Sequence, residues 1–343
     1  MRHLLNTLFV TSEDIYLSLD GENVVANRDK QAVARYPLHT LSGILSFSYA
    51  GASPALMGAC AARGIGLSFC TPRGRFLARV AGEGGGNVLL RRQQYRVADD
   101  PVQSCLIARS MIFGKLHNAR WSIERTRRDH GLRVDDSRLK AASAALKEQM
   151  PLVAAETSLD GLRGLEGKGA AVYFGVLDEM ILHDKTVFSF QGRNRRPPLD
   201  AVNAMLSFAY SLLAGECASA LESVGLDGYV GFLHRDRPGR TSLALDLMEE
   251  LRVWVADRFV LTMINNRMIK AAHFDTRESG AVLLTDEGRR LFLKKWQEKK
   301  RDTLTHPYLM EKLPWGMVPY VQALLLARYL RGDLDGYPPF LWK

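Results

Sequence analysis

The chain has 343 residues, 47% of them hydrophobic and 24% charged, with a formal net charge of +9 at neutral pH. That balance supports a packed core and excludes a largely disordered chain, and the length exceeds what one core usually holds, so two domains are expected. The positive excess suits a polyanionic partner, because lysines and arginines gain affinity by releasing phosphate counterions; basic proteins that bind no nucleic acid are also common.

At the N-terminus, Arg2 and the apolar run over 4–10 superficially resemble a short signal peptide, but no small-residue cleavage site follows, and the run reads as a first strand. Alternating patterns predict strands over 15–19, 23–26, 32–37 and 44–47, with turns at Asp20-Gly21 and around Pro37. Ser53-Pro54 opens a predicted helix over 52–63, and strands over 66–70 and 76–80 follow, joined by the turn Pro72-Arg73-Gly74. The cluster Gly82-Glu83-Gly84-Gly85-Gly86 reads as a flexible linker, since no Lys-Ser or Lys-Thr follows to make it a phosphate-binding loop. Residues 1–85 are thus expected to form a small β-rich domain.

Beyond Asn87 the pattern becomes helical. A long basic amphipathic helix is predicted over 102–128, apolar at Leu106, Ile107, Met111, Leu116 and Ile123 and charged at Arg109, Lys115, Arg120 and Arg125. Further helices are predicted over 137–148, 156–177, 199–224, 242–268, 286–301 and 313–330, with a loop over 190–196 closed by Pro197-Pro198. The fold class is α+β: the small β-rich domain precedes a larger, mostly α-helical C-terminal domain over 86–343, with a loose tail from about 333. Cys60, Cys70, Cys105 and Cys217 form no CxxC pair and no zinc spacing, so they read as buried, reduced thiols. No uninterrupted apolar run approaches the ~20 residues that span a bilayer, and a cytoplasmic location is the expectation.

Two signatures carry chemistry: Gly164-Leu165-Glu166-Gly167-Lys168-Gly169, and Gly231-Phe232-Leu233-His234 followed by Asp246-Leu247-Met248-Glu249-Glu250. On a helix Asp246 shares a face with Glu249 and with Glu250, which makes either paired carboxylates or a solvated patch with ion pairs to Arg252. Leu243, Leu245, Leu247, Met248 and Leu251 surround these acids, so at least one is expected to point inward, where it would need a cation. His234 reads either as a satisfied turn histidine or as a ligand. The glycines around Glu166 either permit close backbone approach or serve helix packing. A Walker motif is excluded, because Leu162 stands where its first glycine belongs and Gly169 follows Lys168. With no HExxH and a single histidine, oxygen-rich ligation points to Mg²⁺ or Mn²⁺ rather than zinc. Arg193, Arg195 and Arg196, then Arg235, Arg237 and Arg240, frame these signatures and could position phosphates; a late basic run from Arg289 to Arg301 is equally well a solvated helix face.

Together these motifs resemble the CRISPR-associated adaptation integrase family, Cas1, over essentially the whole chain. The resemblance rests on Gly164-Leu165-Glu166-Gly167 with Ala170-Ala171 and Tyr173-Phe174, and on Arg193-Asn194-Arg195-Arg196-Pro197-Pro198 running into Asn203-Ala204-Met205-Leu206-Ser207. It continues through Gly231-Phe232-Leu233-His234, the stretch from Ser242 to Glu250, and Lys115-Leu116-His117-Asn118, in a style closest to type I systems, particularly I-C. It implies an N-terminal domain for dimerisation and partner contacts, a helical metal-dependent catalytic domain, and a homodimer that assembles with the small partner Cas2. Carried over by position, Glu166, His234 and Glu249 are the catalytic metal ligands for Mg²⁺ or Mn²⁺, Asp246 is an auxiliary acid and Tyr210 lies near substrate. Lys115, Arg193, Arg195, Arg196 and Arg240 are the expected DNA contacts. The implied reaction joins a 3′-hydroxyl of short duplex DNA to CRISPR repeat DNA by transesterification, with water attack on branched DNA as the related nuclease reaction. A catalytically silent DNA-binding scaffold, and a repair nuclease or RNase without integration, are the alternatives.

Overall fold

Hydrophobic residues alternate with polar ones through the N-terminal segment, and the chain pairs accordingly. The computed structural model describes residues 6–71, 76–80, 82 and 88–343. β1 (Asn6–Val10), β2 (Tyr16–Asp20), β3 (Asn23–Arg28), β4 (Gln31–Pro37) and β5 (Leu41–Ser46) precede α1 (Pro54–Ala62), β6 (Gly66–Cys70) and β7 (Phe76–Val80). β2, β3 and β4 form an antiparallel meander, while the second sheet has the order β1-β5-β6-β7, parallel except for its last pair. Gly21 sits at φ +58°, which lets Asp20 pair with Asn23 across a tight hairpin. Between the parallel strands β5 and β6 the connection is α1, whose start is fixed by Pro54 and by Ser53 Oγ accepting from the Leu56 amide at 3.2 Å.

Leu17, Val24, Leu38, Leu56, Cys60 and Leu67 are fully enclosed in the core of this unit. All four cysteines are buried and free, and burial pushes the Cys60 thiol up to about 11 and Cys70 to about 12, so neither is poised as a thiolate. Arg2, the first residues of the 4–10 strand, the Pro72-Arg73-Gly74 turn and most of the glycine cluster, Glu83-Gly84-Gly85-Gly86, lie outside the described residues.

The compact unit built on Met1–Gly86 also takes in Arg289–Leu304 and Pro314–Met317. That corrects the expectation of one uninterrupted domain over 86–343. Phe292 and Trp296 are fully buried and Trp315 meets Trp296 edge-on at 5.4 Å, so this late basic segment is amphipathic and folds back by its aromatic face.

The second unit comprises Asn87–Gly288, Thr305–Leu313 and Val318–Lys343. It opens with α2 (Val88–Asp99), in the stretch read as helical but without a helix of its own, and α3 (Pro101–His130), whose start is fixed by Pro101 and by Asp100 Oδ1 accepting from the Val102 and Gln103 amides. α4 (Asp136–Ala155) runs on through Pro151, past the predicted stop near 148. α5 (Leu159–Gly175) begins at a Ser158 cap, and α6 (Ala201–Ser223) at an Asp200 cap. By length and composition α6 could cross a membrane, but it packs in the core against α7 (Ser242–Leu251).

The predicted helix over 242–268 is interrupted. α7 is followed by a π-helical segment, Arg252–Asp257, and then by α8 (Arg258–Asn265). A small hairpin of β8 (Phe274–Thr276) and β9 (Val282–Leu284) precedes α9 (Asp286–Lys299); β10 (Thr303–Thr305) pairs with β11 (Lys312–Pro314), and α10 (Val318–Leu330) closes the set.

Nor is the tail loose. Phe340 is fully buried against Trp254 at 4.7 Å, Asn118 Nδ2 donates to the Phe340 carbonyl at 2.8 Å, and the Trp342 amide donates to Asn118 Oδ1 at 2.9 Å. Glycines and prolines near 336–339 suggested disorder, but the aromatic residues between and after them supply the apolar area that anchors the segment.

α5 approaches α3 closely at Gly169, where an added Cβ would collide with the Leu116 side chain; at Gly164 an added Cβ would meet nothing within 4 Å. G169A is therefore expected to destabilise the fold by about 1–3 kcal/mol through overpacking. G164A, on an open helical position, should be neutral or stabilising by up to about 1 kcal/mol. Urea denaturation of the two variants measures the contrast; equal effects would contradict the close α3–α5 approach.

Candidate metal centre

α7 carries Asp246, Glu249 and Glu250, and all three side chains are buried. Rather than forming one paired site, they point into three different settings.

Asp246 is wrapped by the 231–234 loop. Its Oδ2 accepts from the Phe232 and Leu233 amides at 2.6 and 2.9 Å, and its Oδ1 from the His234 amide at 3.0 Å. His234 Nδ1 lies 2.5 Å from the same Oδ1. With Nδ1 carrying the proton toward Asp246, Nε2 keeps its lone pair for a ligand. Gly231 is needed here, because a Cβ would come within 2.8 Å of Asp246 Oδ2. Arg163 of α5 secures the loop from outside by donating to the Leu233 carbonyl at 2.7 Å.

Glu249 points toward α3. Its Oε2 accepts from Lys115 Nζ at 2.6 Å and its Oε1 from Arg252 Nη2 at 2.6 Å. Burial opposes its ionisation, but Arg252, Lys115 and the nearby His234 prevail and hold it down at about 2. Lys115 Nζ also bonds Glu166 Oε1 from α5. Two carboxylates from different helices thus converge on one cationic atom.

Glu250 faces the C-terminal segment. Its oxygens accept from the Tyr337 hydroxyl, from Gln322 Nε2 at 3.0 Å and from the Phe340 amide at 2.8 Å. Burial pushes its carboxyl up to about 7 against these donors. The expectation that a buried acid here needs a cation fails for Glu250, which is satisfied by neutral donors instead.

Tyr210 is held beneath this group. Its hydroxyl donates to Asp257 Oδ1 at 2.6 Å, and the Arg193 and Arg252 guanidinium carbons lie 5.2 and 5.0 Å from its ring centre. Its hydroxyl is tied to protein, so the structure places Tyr210 as a strut between Arg193 and Arg252. Asp257 is fully buried; burial pushes its carboxyl up to about 6, although Tyr210 and Arg252 pull the other way.

Among the expected DNA contacts, Arg195 and Arg196 are exposed. Arg193 turns inward to Asn203 Oδ1 at 2.6 Å and Ser207 Oγ at 3.0 Å, and Arg240 folds onto its own loop at Arg235 and Ser242. Lys115 is 5% exposed and clasped by Glu166 and Glu249, rather than lying on the surface with Arg195 and Arg196.

Among the described residues no three His, Cys, Asp or Glu side chains are already gathered closely enough to hold a metal ion. The donor set nonetheless fits a hard divalent cation: two carboxylate oxygens that already share one positive centre, and an imidazole whose Nδ1 is clamped by a carboxylate. Arg252 and Asp257 were not singled out as site residues. Arg252 was legible only as an ion-pair partner three residues beyond Glu249, and Asp257 only as a lone acid after the apolar run 253–256.

Asp257 sets a pH test. Its folded value of about 6 lies above its ordinary 3.8, so its contribution is intact below about pH 4 and is lost as pH rises through 6, where the folded protein must hold a buried charge. Wild type is expected to lose up to about 3 kcal/mol relative to D257N over that window. Urea melts of both proteins at several pH values check this; a constant difference would contradict it.

The profile of the family described as CRISPR associated protein Cas1 matches residues 8–298. The CRISPR-associated endonuclease Cas1 2 of Rhodospirillum rubrum is 50% identical over 347 residues, covering 100% of both chains. Among solved structures, a casposase bound to integration product superposes with TM-score 0.83 at 21% identity, covering 99% of this chain and 95% of that one. A Cas6-RT-Cas1–Cas2 complex superposes with TM-score 0.79 at 21% identity, covering 99% of this chain and 36% of its counterpart. At such identity these two structures speak to the fold, a small β-rich unit joined to a mostly helical one.

Proposed function

The chain belongs to the CRISPR-associated Cas1 family, and from that premise we propose that it is a divalent-metal-dependent DNA endonuclease and integrase that inserts short duplex DNA into a CRISPR repeat. The observation that carries this reading is the convergence of Glu166 and Glu249 on one cationic atom, beside a histidine clamped by Asp246. The named activity of the R. rubrum relative supports the nuclease part, and the casposase likeness is consistent with strand transfer.

Glu166, His234 Nε2 and Glu249 would hold Mg²⁺ or Mn²⁺, which when bound supplies Lewis-acid polarisation of a phosphoryl oxygen. The protein's own groups do the positioning. Asp246 keeps the proton on His234 Nδ1 and so leaves Nε2 available. Arg252 remains on Glu249 Oε1 and aims Oε2 at the centre. Arg195 and Arg196, exposed before the proline pair, are the guanidinium groups best placed to take phosphate oxygens from the duplex. In the strand-transfer step the duplex 3′-oxygen forms a new bond to phosphorus, the repeat's P–O3′ bond breaks, and the departing oxygen takes up the proton. No covalent bond to the protein is required. Substitution of water for the 3′-hydroxyl makes the same site a nuclease on branched DNA.

The partners of this reading are double-stranded and branched DNA, a second copy of the chain, and Cas2, in keeping with the Cas1–Cas2 assembly of the structural neighbour. The β-rich unit would supply the partner contacts, and the working location would be the cytoplasm.

The test combines purified protein, Mn²⁺, a supercoiled repeat-bearing plasmid and a short duplex ending in 3′-hydroxyl or in dideoxy nucleotides. Joined products are expected only with the 3′-hydroxyl duplex, and E166A, H234A and E249A should each lower the rate by about a hundredfold or more. Equal rates in all variants would reject the site, cleavage without joining would point to a repair nuclease, and binding without turnover would point to a silent scaffold.

A further inference from the structure

Lys115 is a long, flexible side chain of α3 enclosed to 6% exposure, and its ammonium occupies the point at which Glu166 and Glu249 converge. Glu249 itself is 4% exposed. Two carboxylates, Lys115 and Arg252 leave the cluster formally neutral, which is the condition for burying it at tolerable cost. A divalent cation on the same two carboxylates would have to bond their oxygens directly. It cannot share those atoms with an ammonium already bonded to both, and two extra positive charges beside Lys115 would repel its ammonium. Metal entry therefore requires the ammonium to leave.

The structure also offers a place for it to go. Lys115 lines a small cavity together with Gly169, Tyr173, Arg252 and Asp257, with about 10 Å³ for the centre of a water-sized group. Asp257 Oδ2 and the Tyr173 hydroxyl are both buried and interact with one another, but neither reaches good hydrogen-bond geometry with any described residue. A carboxylate oxygen with only a poorly aligned phenol beside it, in a site with no exposure, is costly, and an ammonium is a group that would satisfy it better.

Resting on the metal-site reading above, we propose that Lys115 is an exchangeable internal counter-cation: it holds Glu166 and Glu249 together while the site is metal-free, and on metal entry moves into the adjoining cavity to pair with Asp257. Over Glu166, Glu249, Asp257, Lys115 and Arg252 the formal charge passes from one net negative without metal to one net positive with it, and in both arrangements the ammonium is paired with a carboxylate while Arg252 stays on Glu249. Lys115 thus sets the affinity and selectivity of the centre: a monovalent ion cannot repay its displacement, whereas a divalent ion can.

The experiment is a Mn²⁺ titration of the full-length protein followed by electron paramagnetic resonance, with DNA absent so that turnover plays no part. K115M should bind Mn²⁺ about tenfold more tightly than wild type, because no ammonium competes for the carboxylates. D257N should bind about tenfold more weakly, because the displaced ammonium loses its acceptor. In K115M/D257N the second substitution should have no effect. E166A separates the two levels of the account. If wild type binds no Mn²⁺, or E166A binds it as well as wild type, the metal-site reading fails and the exchange with it. If E166A abolishes binding while K115M binds no more tightly, or D257N binds unchanged, the site stands and the exchange is overturned. Circular dichroism verifies folding, and D257N, which leaves the Lys115 clasp intact, decides the matter should K115M not fold.

Discussion

Three carboxylates within five residues of α7 are buried, and the rest of the helical unit is organised around making that burial tolerable. Charges removed from water cost several kcal/mol each unless paired or hydrogen-bonded, so each acid on α7 recruits its own neighbours. Asp246 draws the 231–234 loop over itself with three amides and an imidazole. Glu249 draws Lys115 from α3 and Arg252 from the π segment. Glu250 draws the C-terminal segment through Tyr337 and Phe340. Loop, helix and tail are each held where the neutralisation of one acid requires them.

This explains which parts of the molecule were legible in the sequence. The strands of the first unit were readable because each needs only a period-two pattern and a turn residue, as at Asp20-Gly21. Glu166, His234 and Glu249 stood out through glycine-flanked or apolar surroundings and through the combined order of the motifs. Harder to see was that Asp246, Glu249 and Glu250 diverge. Helical spacing places them near one face, but which partner meets which acid depends on α3 and the C-terminal segment, far away in the chain. The tail was misjudged for the same reason: its glycines and prolines are local signals, whereas its anchors, Asn118 and Glu250, lie more than eighty residues distant.

The π segment was invisible to periodicity, since 242–268 reads as one continuous apolar helix. Its consequence is chemical. The wider turn starts three residues after Glu249, with Arg252 at one end bonded to Glu249 and Asp257 at the other bonded to Tyr210. A basic residue on α3 looked in sequence like surface charge; in three dimensions Lys115 lies in the seam where α3 meets α5 and α7, and Gly169 allows α5 near enough for Glu166 to reach it.

A site maintained by internal ion pairs has the donor atoms of a metal centre without the repulsion that two adjacent carboxylates would otherwise suffer. The central claim is that Glu166, His234 and Glu249 bind one hard cation. Crystals of the protein soaked in Mn²⁺ and measured at the manganese absorption edge test it most directly. An anomalous peak bonded to Glu166, Glu249 and His234 Nε2, with His234 Nδ1 still on Asp246, is the predicted result. A map with no anomalous density at that point under saturating Mn²⁺, or with the manganese held by other side chains, would contradict it.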